Sequence, residues 1–161
     1  MALNGHQQTV GKSCEWITPK WILEPLGEFD LDPSSPVNRP FDTAKNHYTI
    51  VENGLKQKWF GRVWLNPPFY RYERDLWMHK MSNHGNGIML IPASCETRAF
   101  ANYVWGKCDG LLMLNKRPKF LTVDGRESSM NAGGTIALIA YGEKNLNILK
   151  RSGLGYTLVE Y

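Results

Sequence analysis

The sequence predicts an α/β fold, in which strands and helices alternate along one chain. Three observations lead to this prediction. Apolar runs of strand length recur, stretches with helical spacing lie between them, and two of the predicted strands end in polar turns that contain proline. Ligands of α/β sheets bind at the carboxyl ends of strands, so these two turns are where we expect the chemistry.

The first predicted element is a helix that follows Thr18 and Pro19. Thr18 is expected to be its N-cap, and Pro19 to occupy the first helical position, where a missing N–H costs nothing. Gly27 is expected to end the helix. The side chains expected on its buried side are Trp21, Ile22 and Leu26.

The remaining elements follow from apolar runs and from the turn residues between them. Strands are predicted at 29–32, 62–65, 87–91, 111–114, 135–141 and 157–161. Helices are predicted at 71–84 and 96–104, and a loop is predicted at 34–46. Pro33 stops the first strand, and Asn66 follows the second one directly, so both of these strands lead into proline-containing turns.

Length and composition indicate one globular domain. The chain has 161 residues, of which 42% are hydrophobic, which is enough for a core of its own. Residues 1–13 are predicted to be a loose tail, and residues 14–161 to be the domain. No apolar run approaches the roughly 20 residues that cross a bilayer, and the polar start has no signal core. We therefore expect a cytoplasmic protein that makes no membrane contact.

Cysteine usage and charge narrow the choice of partners. Cys14, Cys95 and Cys108 are too widely spaced for a metal pair, so we expect free thiols and no metal. The net charge of +4 suits a polyanionic partner, although a modestly basic surface without such a partner would have the same charge. Six Trp and seven Tyr are typical of base-stacking surfaces, and also of cores and interfaces.

The turn Asn66-Pro67-Pro68-Phe69 has the residue types needed to methylate an exocyclic base amine. Such an amine is conjugated with its ring, so two rigid acceptors must draw its lone pair out of conjugation. The Asn66 amide oxygen and a backbone carbonyl supply them, because Pro67 and Pro68 each fix φ near −65°. Phe69 offers a face on which an extruded base stacks. The alternative interpretation is an ordinary Asn-Pro turn after a strand.

The sequence resembles the phage-type DNA N-6-adenine methyltransferases, the phage Dam-like family, over about residues 14–141. The resemblance rests on landmarks that occur in the same order: Trp16-Ile17-Thr18-Pro19, Phe29-Asp30-Leu31-Asp32-Pro33, Asn53-Gly54-Leu55 with Trp59, Val63 to Phe69, and Arg117 with Phe120. It implies a compact, single-domain Rossmann-like methyltransferase fold, with a mixed, mostly parallel sheet and helices on both faces.

The resemblance also implies the ligands and their residues. The donor would be S-adenosylmethionine, and the acceptor would be adenine in double-stranded DNA. The catalytic turn would be Asn66, Pro67, Pro68 and Phe69. Residues implied at the cofactor are Thr18, Pro19, Asp32, Asn53 and, as a weaker choice, Asp30. The chain departs from the family at Asn53, where Asp is usual, at Phe69, where Tyr is commoner, and at residues 33–35, which replace a glycine-rich loop.

Two basic stretches are candidates for contact with the DNA backbone. Lys116, Arg117 and Lys119 lie between a predicted strand and Phe120, and Arg71 follows the catalytic turn. A solvated surface is the alternative for both stretches, and we favour it slightly for the one at Arg71. The four histidines have no ligand spacing, and none is assigned a role.

The function predicted from the sequence is S-adenosylmethionine-dependent methylation of the N6 amine of adenine, by direct in-line transfer after base flipping. On the resemblance alone, the protein would modify phage or prophage DNA in a bacterial host, as protection against restriction. Rival interpretations with the same fold are methylation of a cytosine amine, of RNA adenine or of a protein glutamine. A DNA-binding relic without activity is a further rival. The oligomeric state, monomer or homodimer, stays open.

Overall fold

The computed structural model describes residues 16–68, 71–129 and 132–159. A short 3-10 turn, Glu24–Leu26, continues the first helix. The α-helices are α1 (Lys20–Leu23), α2 (Arg71–His84), α3 (Arg98–Tyr103) and α4 (Glu143–Arg151). The strands are β1 (Leu31–Asp32), β2 (Asn46–His47), β3 (Val63–Leu65), β4 (Gly87–Pro92), β5 (Gly110–Leu114), β6 (Ile136–Tyr141) and β7 (Gly155–Leu158).

All seven strands join one mixed sheet in the order β2-β1-β3-β4-β6-β5-β7. Strands β2, β1, β3 and β4 are parallel neighbours, whereas β6 is antiparallel to both β4 and β5, and β7 is antiparallel to β5. The predicted mixed α/β architecture is therefore confirmed. The expectation of a mostly parallel sheet needs correction, because parallel pairing is confined to one half and β6 enters the other half in the reverse direction.

Helices cover both faces of the sheet, because successive strand residues point to opposite sides. On β3, Val63 and Leu65 join the cluster beneath α2 and α3, and Trp64 joins the cluster beneath α1 and α4. Strand β4 divides in the same way, with Met89 and Ile91 on one side and Ile88 and Leu90 on the other. The sheet centre is buried on both faces, which is why its strands read as continuous apolar runs.

Most predicted elements are confirmed, with shifted ends. Helix α2 has the predicted bounds, and α3 begins after Thr97, whose hydroxyl accepts a hydrogen bond from the Phe100 amide at 3.3 Å. Strand β7 begins two residues before the predicted start, at Gly155, and lies at the edge of the sheet; its predicted last residues, 160 and 161, lie outside the described residues. Helix α4 and the two-residue strand β2 were not predicted.

Two expectations about the first helix are wrong. Pro19, not Thr18, is the N-cap residue, and no side chain caps the helix. Thr18 is buried, and its hydroxyl has no hydrogen-bond partner among the described residues. Trp21 is 36% exposed rather than buried. Helix α1 has only one turn before it tightens into the 3-10 turn, so Ile22 and Leu26 face the core without bringing Trp21 with them. Gly27 ends the segment with a φ of 74°, as expected.

The topology creates a switch point between β1 and β3. After β1 the chain continues to β2 on one side, and after β3 it continues through α2 to β4 on the other side. The loops that leave β1 and β3 thus diverge at the carboxyl edge of the sheet. In open α/β sheets a ligand crevice lies at this point. No described helix is long and apolar enough to span a membrane.

Candidate active site

The two proline-containing turns meet at the switch point. Leu31 of β1 pairs with Val63 of β3, so the parallel strands end side by side. The Ser34 hydroxyl donates to the Asn66 carbonyl oxygen at 3.4 Å, which joins the turn after β1 to the turn after β3. Residues 66–68 and 32–34 therefore lie side by side at the switch point, where a ligand crevice is expected in an α/β sheet.

Asp32 ends β1 and is only 3% exposed. Its Oδ1 accepts from the Ser34 amide at 3.0 Å, and its Oδ2 accepts from the Thr43 hydroxyl. Burial raises the pKa of Asp32 to about 6, although the bonds from Thr43 and Ser34 and the charge of Arg39 oppose the rise. An ionised carboxylate has about four acceptor positions, so two remain for a donor from a ligand.

The Asn66 side chain is held by a segment distant in sequence. Its Nδ2 donates to the Trp16 carbonyl oxygen at 3.1 Å. Trp16 and its neighbours are fixed in turn, because Ile17 and Leu121 exchange two backbone hydrogen bonds of 2.9 and 2.8 Å. With its amide nitrogen engaged, the end of Asn66 that remains available to a substrate is the acceptor oxygen Oδ1.

Several buried polar atoms have no hydrogen-bond partner among the described residues. Thr18 is 1% exposed, and its hydroxyl is one of them. Arg74 Nε, Asp75 Oδ1 and Trp77 Nε1 are others, in the first two turns of α2. An unsatisfied buried polar group costs roughly 1–3 kcal/mol, so the Thr18 hydroxyl is ready to pair with a polar ligand atom. No group of His, Cys, Asp and Glu in the described part of the chain is arranged to hold a metal.

The turn at Asn53 and Gly54 packs against the turn after β1. A Cβ at Gly54 would lie 1.9 Å from the Pro33 carbonyl oxygen, so only glycine fits there. Asn53 has a left-handed φ of 58°, a conformation in which Asn is common, and its side chain is exposed. The Gly54 carbonyl accepts from the Trp59 indole at 2.8 Å. The backbone of this turn thus forms one wall beside Asp32.

The chain that carries these turns matches the model of a known protein family. The family described as DNA N-6-adenine-methyltransferase (Dam) matches residues 7–152. The chain belongs to the Dam family. Neither a curated protein sequence nor a solved structure matches it significantly. Membership in the Dam family implies a DNA methyltransferase that acts on adenine N6, with DNA as its substrate and S-adenosylmethionine as the usual methyl donor of its class.

The structure brings together some of the residues expected at the Dam-family site and separates one. Asn66, Pro67 and Pro68 lie beside Asp32, with Thr18 and Pro19 in the segment fixed to Asn66. The Asp30 carboxylate instead accepts from the Arg62 amide at 2.8 Å, at the amino end of β3 and away from the crevice. Phe69 lies outside the described residues, and Arg71 is known only as the first residue of α2.

The second basic stretch lies at the same edge of the sheet as Asn66. Lys116, Arg117 and Lys119 are exposed on the loop that leaves β5, whose carboxyl end lies on this side. The loop continues into residues 120–128, which contain Leu121, the partner of Ile17. Lys119 Nζ is 3.9 Å from Glu127 Oε2, a distance at which an exposed ion pair contributes little.

Sequence reasoning missed the residues that support the site rather than form it. Thr43, the partner of Asp32, lies in a loop without periodicity, and the Trp16 carbonyl acts through the backbone, so neither leaves a signal in residue type. The hydrogen bond from the Ser34 amide to the Asp32 carboxylate could have been predicted from the sequence, because Asp-Pro-Ser is a typical sequence for an Asx turn. The Asn53-Gly54 dipeptide likewise signals a tight turn.

Proposed function

We propose that this protein transfers the methyl group of S-adenosylmethionine to the N6 amine of an adenine flipped out of double-stranded DNA. Membership in the Dam family supports the substrate and the reaction class. The observation that supports the site most strongly is the joining of Asn66 to the turn after Asp32, at the point where the strand order reverses. We further infer that the sheet is a short Rossmann-like methyltransferase sheet, whose parallel half and switch point hold the ligands.

The residues around Asp32 suit the methyl donor. S-adenosylmethionine, when bound, supplies an electrophilic methyl group on a sulfonium and carries an ammonium and ribose hydroxyls. The buried Asp32 carboxylate has acceptor capacity for these donors, and the unpaired Thr18 hydroxyl adds a further polar contact. In this proposal Pro19 and the backbone at Asn53 border the same pocket. Asp30 has no part in it, since its carboxylate is used at the amino end of β3.

Asn66 would act on the adenine amine. Its Oδ1 and the Pro67 carbonyl would accept hydrogen bonds from the two N–H groups, which draws the nitrogen lone pair out of conjugation. The Nδ2 bond to Trp16 and the fixed φ of Pro67 and Pro68 keep both acceptors in place before the substrate arrives, so little entropy is lost on binding. Phe69 would stack on the flipped base. A general base is not needed, because the nitrogen loses its proton readily once it is cationic.

The test compares cells that express the wild type, Asn66→Ala or Asn102→Ala and lack adenine methylation of their own. Asn102 is an exposed asparagine on α3 and serves as the matched control. Methylation-sensitive sequencing and mass analysis of nucleosides should find N6-methyladenine with the wild type and with Asn102→Ala, and none with Asn66→Ala. Calorimetry should find that Asn66→Ala still binds S-adenosylmethionine, because Asn66 serves the acceptor half of the site.

Each rival interpretation has its own result in this experiment. Methylcytosine in DNA, or methyladenine confined to RNA, would replace the proposed acceptor. Absence of any methylated product together with no heat on addition of S-adenosylmethionine would mean an inactive relic. The proposal that residues 14–161 form one domain rests on length and composition. The proposal that the protein modifies phage or prophage DNA in a bacterial cytoplasm rests on the family resemblance. Protection of phage DNA from restriction on expression would support it.

A further inference from the structure

An exposed tryptophan, Trp21, lies on α1. It follows by five residues Trp16, whose carbonyl oxygen holds the Asn66 side chain. Trp21 is 36% exposed, although tryptophan side chains are on average well buried. Lys116 Nζ lies over its ring, 5.7 Å from the centroid. On the preceding residue, Lys20 Nζ lies 5.0 Å from the centroid of the Phe41 ring. Two aromatic rings, each covered by a lysine, thus lie on the segments next to the carboxyl edge of the sheet.

The charge around Trp21 suits a polyanion. Within residues 16–68, 71–129 and 132–159, neither Lys20 nor Lys116 nor Arg117 takes part in an ion pair. Lysines without acidic partners beside an exposed ring match what strands of nucleic acid require, since phosphates need cations and unstacked bases need a flat apolar face. Because the chain belongs to a family of DNA methyltransferases, we take a strand of nucleic acid as the occupant.

We propose that Trp21 is the stacking platform for an unpaired base of the DNA strand next to the flipped adenine, and that Lys116 and Lys20 bind the adjoining phosphates. The inference rests on the proposed function for the identity of the ligand. Lys116 covers the indole in the free protein and gives way to the base, because a base on an aromatic ring contributes about 5- to 150-fold to affinity, whereas an exposed lysine on a ring contributes about 2- to 5-fold. The displaced ammonium is then free to bind a phosphate.

The contributions of Trp21 and of Lys116 to DNA affinity should depend differently on salt concentration. Fluorescence anisotropy can therefore test the inference. The probes are a labelled single-stranded oligo-deoxyadenylate and a labelled, fully paired duplex of mixed sequence. Trp21→Leu should weaken binding of the single strand by about fivefold or more, without changing the slope of log affinity against log salt. Lys116→Met should instead reduce the magnitude of that slope by about 0.7, the contribution of one phosphate contact on a single strand.

Matched variants separate stacking from a loss of folding. Trp21→Phe keeps an aromatic face and should bind the single strand more tightly than Trp21→Leu does, at an equal melting temperature. Trp105→Leu removes a tryptophan after α3 of similar exposure, 39%, whose ring centroid lies 5.2 Å from that of Phe100, and this variant should bind as the wild type does. The inference is overturned if Trp21→Leu binds the single strand as tightly as the wild type, or if Trp105→Leu loses as much affinity.

Failure of the Trp21 platform can be distinguished from failure of the proposed methyltransferase function. Methylation of DNA by Trp21→Leu with unchanged affinity for both probes would overturn the platform and leave the methyltransferase assignment intact. Loss of single-strand affinity in Trp21→Leu, in a protein whose wild type methylates nothing, would support the platform and contradict the proposed activity. Preference of the wild type for the single strand over the duplex, lost in Trp21→Leu, would support an unpaired base as the stacking partner.

Discussion

Asp32 is a carboxylate that the fold buries before any ligand is present. The two hydrogen bonds that it accepts, from the Ser34 amide and the Thr43 hydroxyl, compensate only part of the desolvation, and its pKa is raised to about 6. A carboxylate that is costly to ionise in the free protein gains most when a cationic or hydroxyl donor arrives. In the proposed function, binding of the methyl donor at Asp32 recovers this cost.

The raised pKa of Asp32 makes a prediction about stability. The folded protein binds a proton at Asp32 more tightly than the unfolded chain, whose value is near 3.8, so the free energy of unfolding falls as pH rises from about 4 to 6. Asp32→Asn keeps the shape and an acceptor for Ser34 but does not ionise. The variant should therefore gain stability relative to the wild type across this window, by about 2–3 kcal/mol in all.

Urea denaturation of both proteins at several pH values measures this difference. Because other carboxyl groups titrate equally in the two chains, the difference between them isolates Asp32. A constant difference from pH 4 to 7 would mean that Asp32 is ionised as easily in the folded protein as in the unfolded one. S-adenosylmethionine should also bind the wild type more tightly at pH 7 than at pH 5, and should bind Asp32→Asn weakly at both.

At the scale of elements, the site is made of turns that touch one another rather than of one continuous motif. Gly54 belongs to the connection from β2 to β3, and its backbone fills the space against the Pro33 carbonyl. The same connection is held from the other side by Lys80 of α2, whose Nζ donates to the Leu55 carbonyl at 2.6 Å and to the Gln57 carbonyl. The turn therefore cannot retreat from Pro33 without breaking these bonds.

Gly54→Ala should accordingly damage the cofactor half of the site. A methyl group 1.9 Å from the Pro33 oxygen forces the turn after β1 to move, with an expected cost of about 1–3 kcal/mol in stability and a weaker affinity for S-adenosylmethionine. Gly134→Ala is the matched control, because a Cβ there meets nothing within 4 Å and its φ is not left-handed. Calorimetric affinities equal to wild type in both variants would show that the turn is not part of the cofactor site.

Sequence reasoning found the longest helix and missed two of the shorter elements. Helix α2 runs for 14 residues and has its predicted bounds. Strand β2 has two residues and no pattern to detect. Helix α4 has nine residues and was missed although its buried Leu146 and Leu149 have helical spacing, because it follows the apolar strand β6 after a single glycine. Trp21 was assigned to the core by spacing, but a single helical turn does not fix which side faces inward.

The position of the turn at 66–68, directly after a buried strand, was predictable because the apolar run and the prolines that end it stand together in the sequence. Its surroundings were not, because Trp16 supports Asn66 through a carbonyl fifty positions away. The insertion of β6 between β4 and β5 was equally out of reach, since it is a choice among pairings that all bury similar apolar residues. Sequence patterns thus predict local chemistry and element type, while contacts between distant backbone segments emerge only in the structure.

At the scale of the whole molecule, a buried polar network at the amino edge of the sheet holds the layers together. Arg62, 8% exposed, precedes β3, and its Nε donates to Asn145 Oδ1 of α4 at 2.6 Å. Its Nη1 donates to the Glu28 carbonyl at 2.8 Å, and its guanidinium lies 4.1 Å from the centre of the Phe29 ring. Asn145 Nδ2 donates in turn to the Tyr141 carbonyl at 2.7 Å. The network ties helix α4 to β3 and β6 across the sheet.

Removing one member of this network should unfold the protein more easily without altering its chemistry. Asn145→Ala leaves the buried Arg62 guanidinium with its Nε unpaired, and the loss of a hydrogen bond to a charged group costs about 1.5–3 kcal/mol. For a chain of this length that corresponds to a melting temperature lower by roughly 3–12 °C. The double variant Arg62→Met with Asn145→Leu removes charge and partner together, so it should recover much of the loss.

The network lies at the edge opposite Asn66, so affinities for S-adenosylmethionine and DNA, measured well below the melting temperature, should equal those of the wild type. Calorimetric unfolding of the three proteins measures the costs, and a double variant as unstable as Asn145→Ala would show that packing around α4, not the buried charge, sets the penalty.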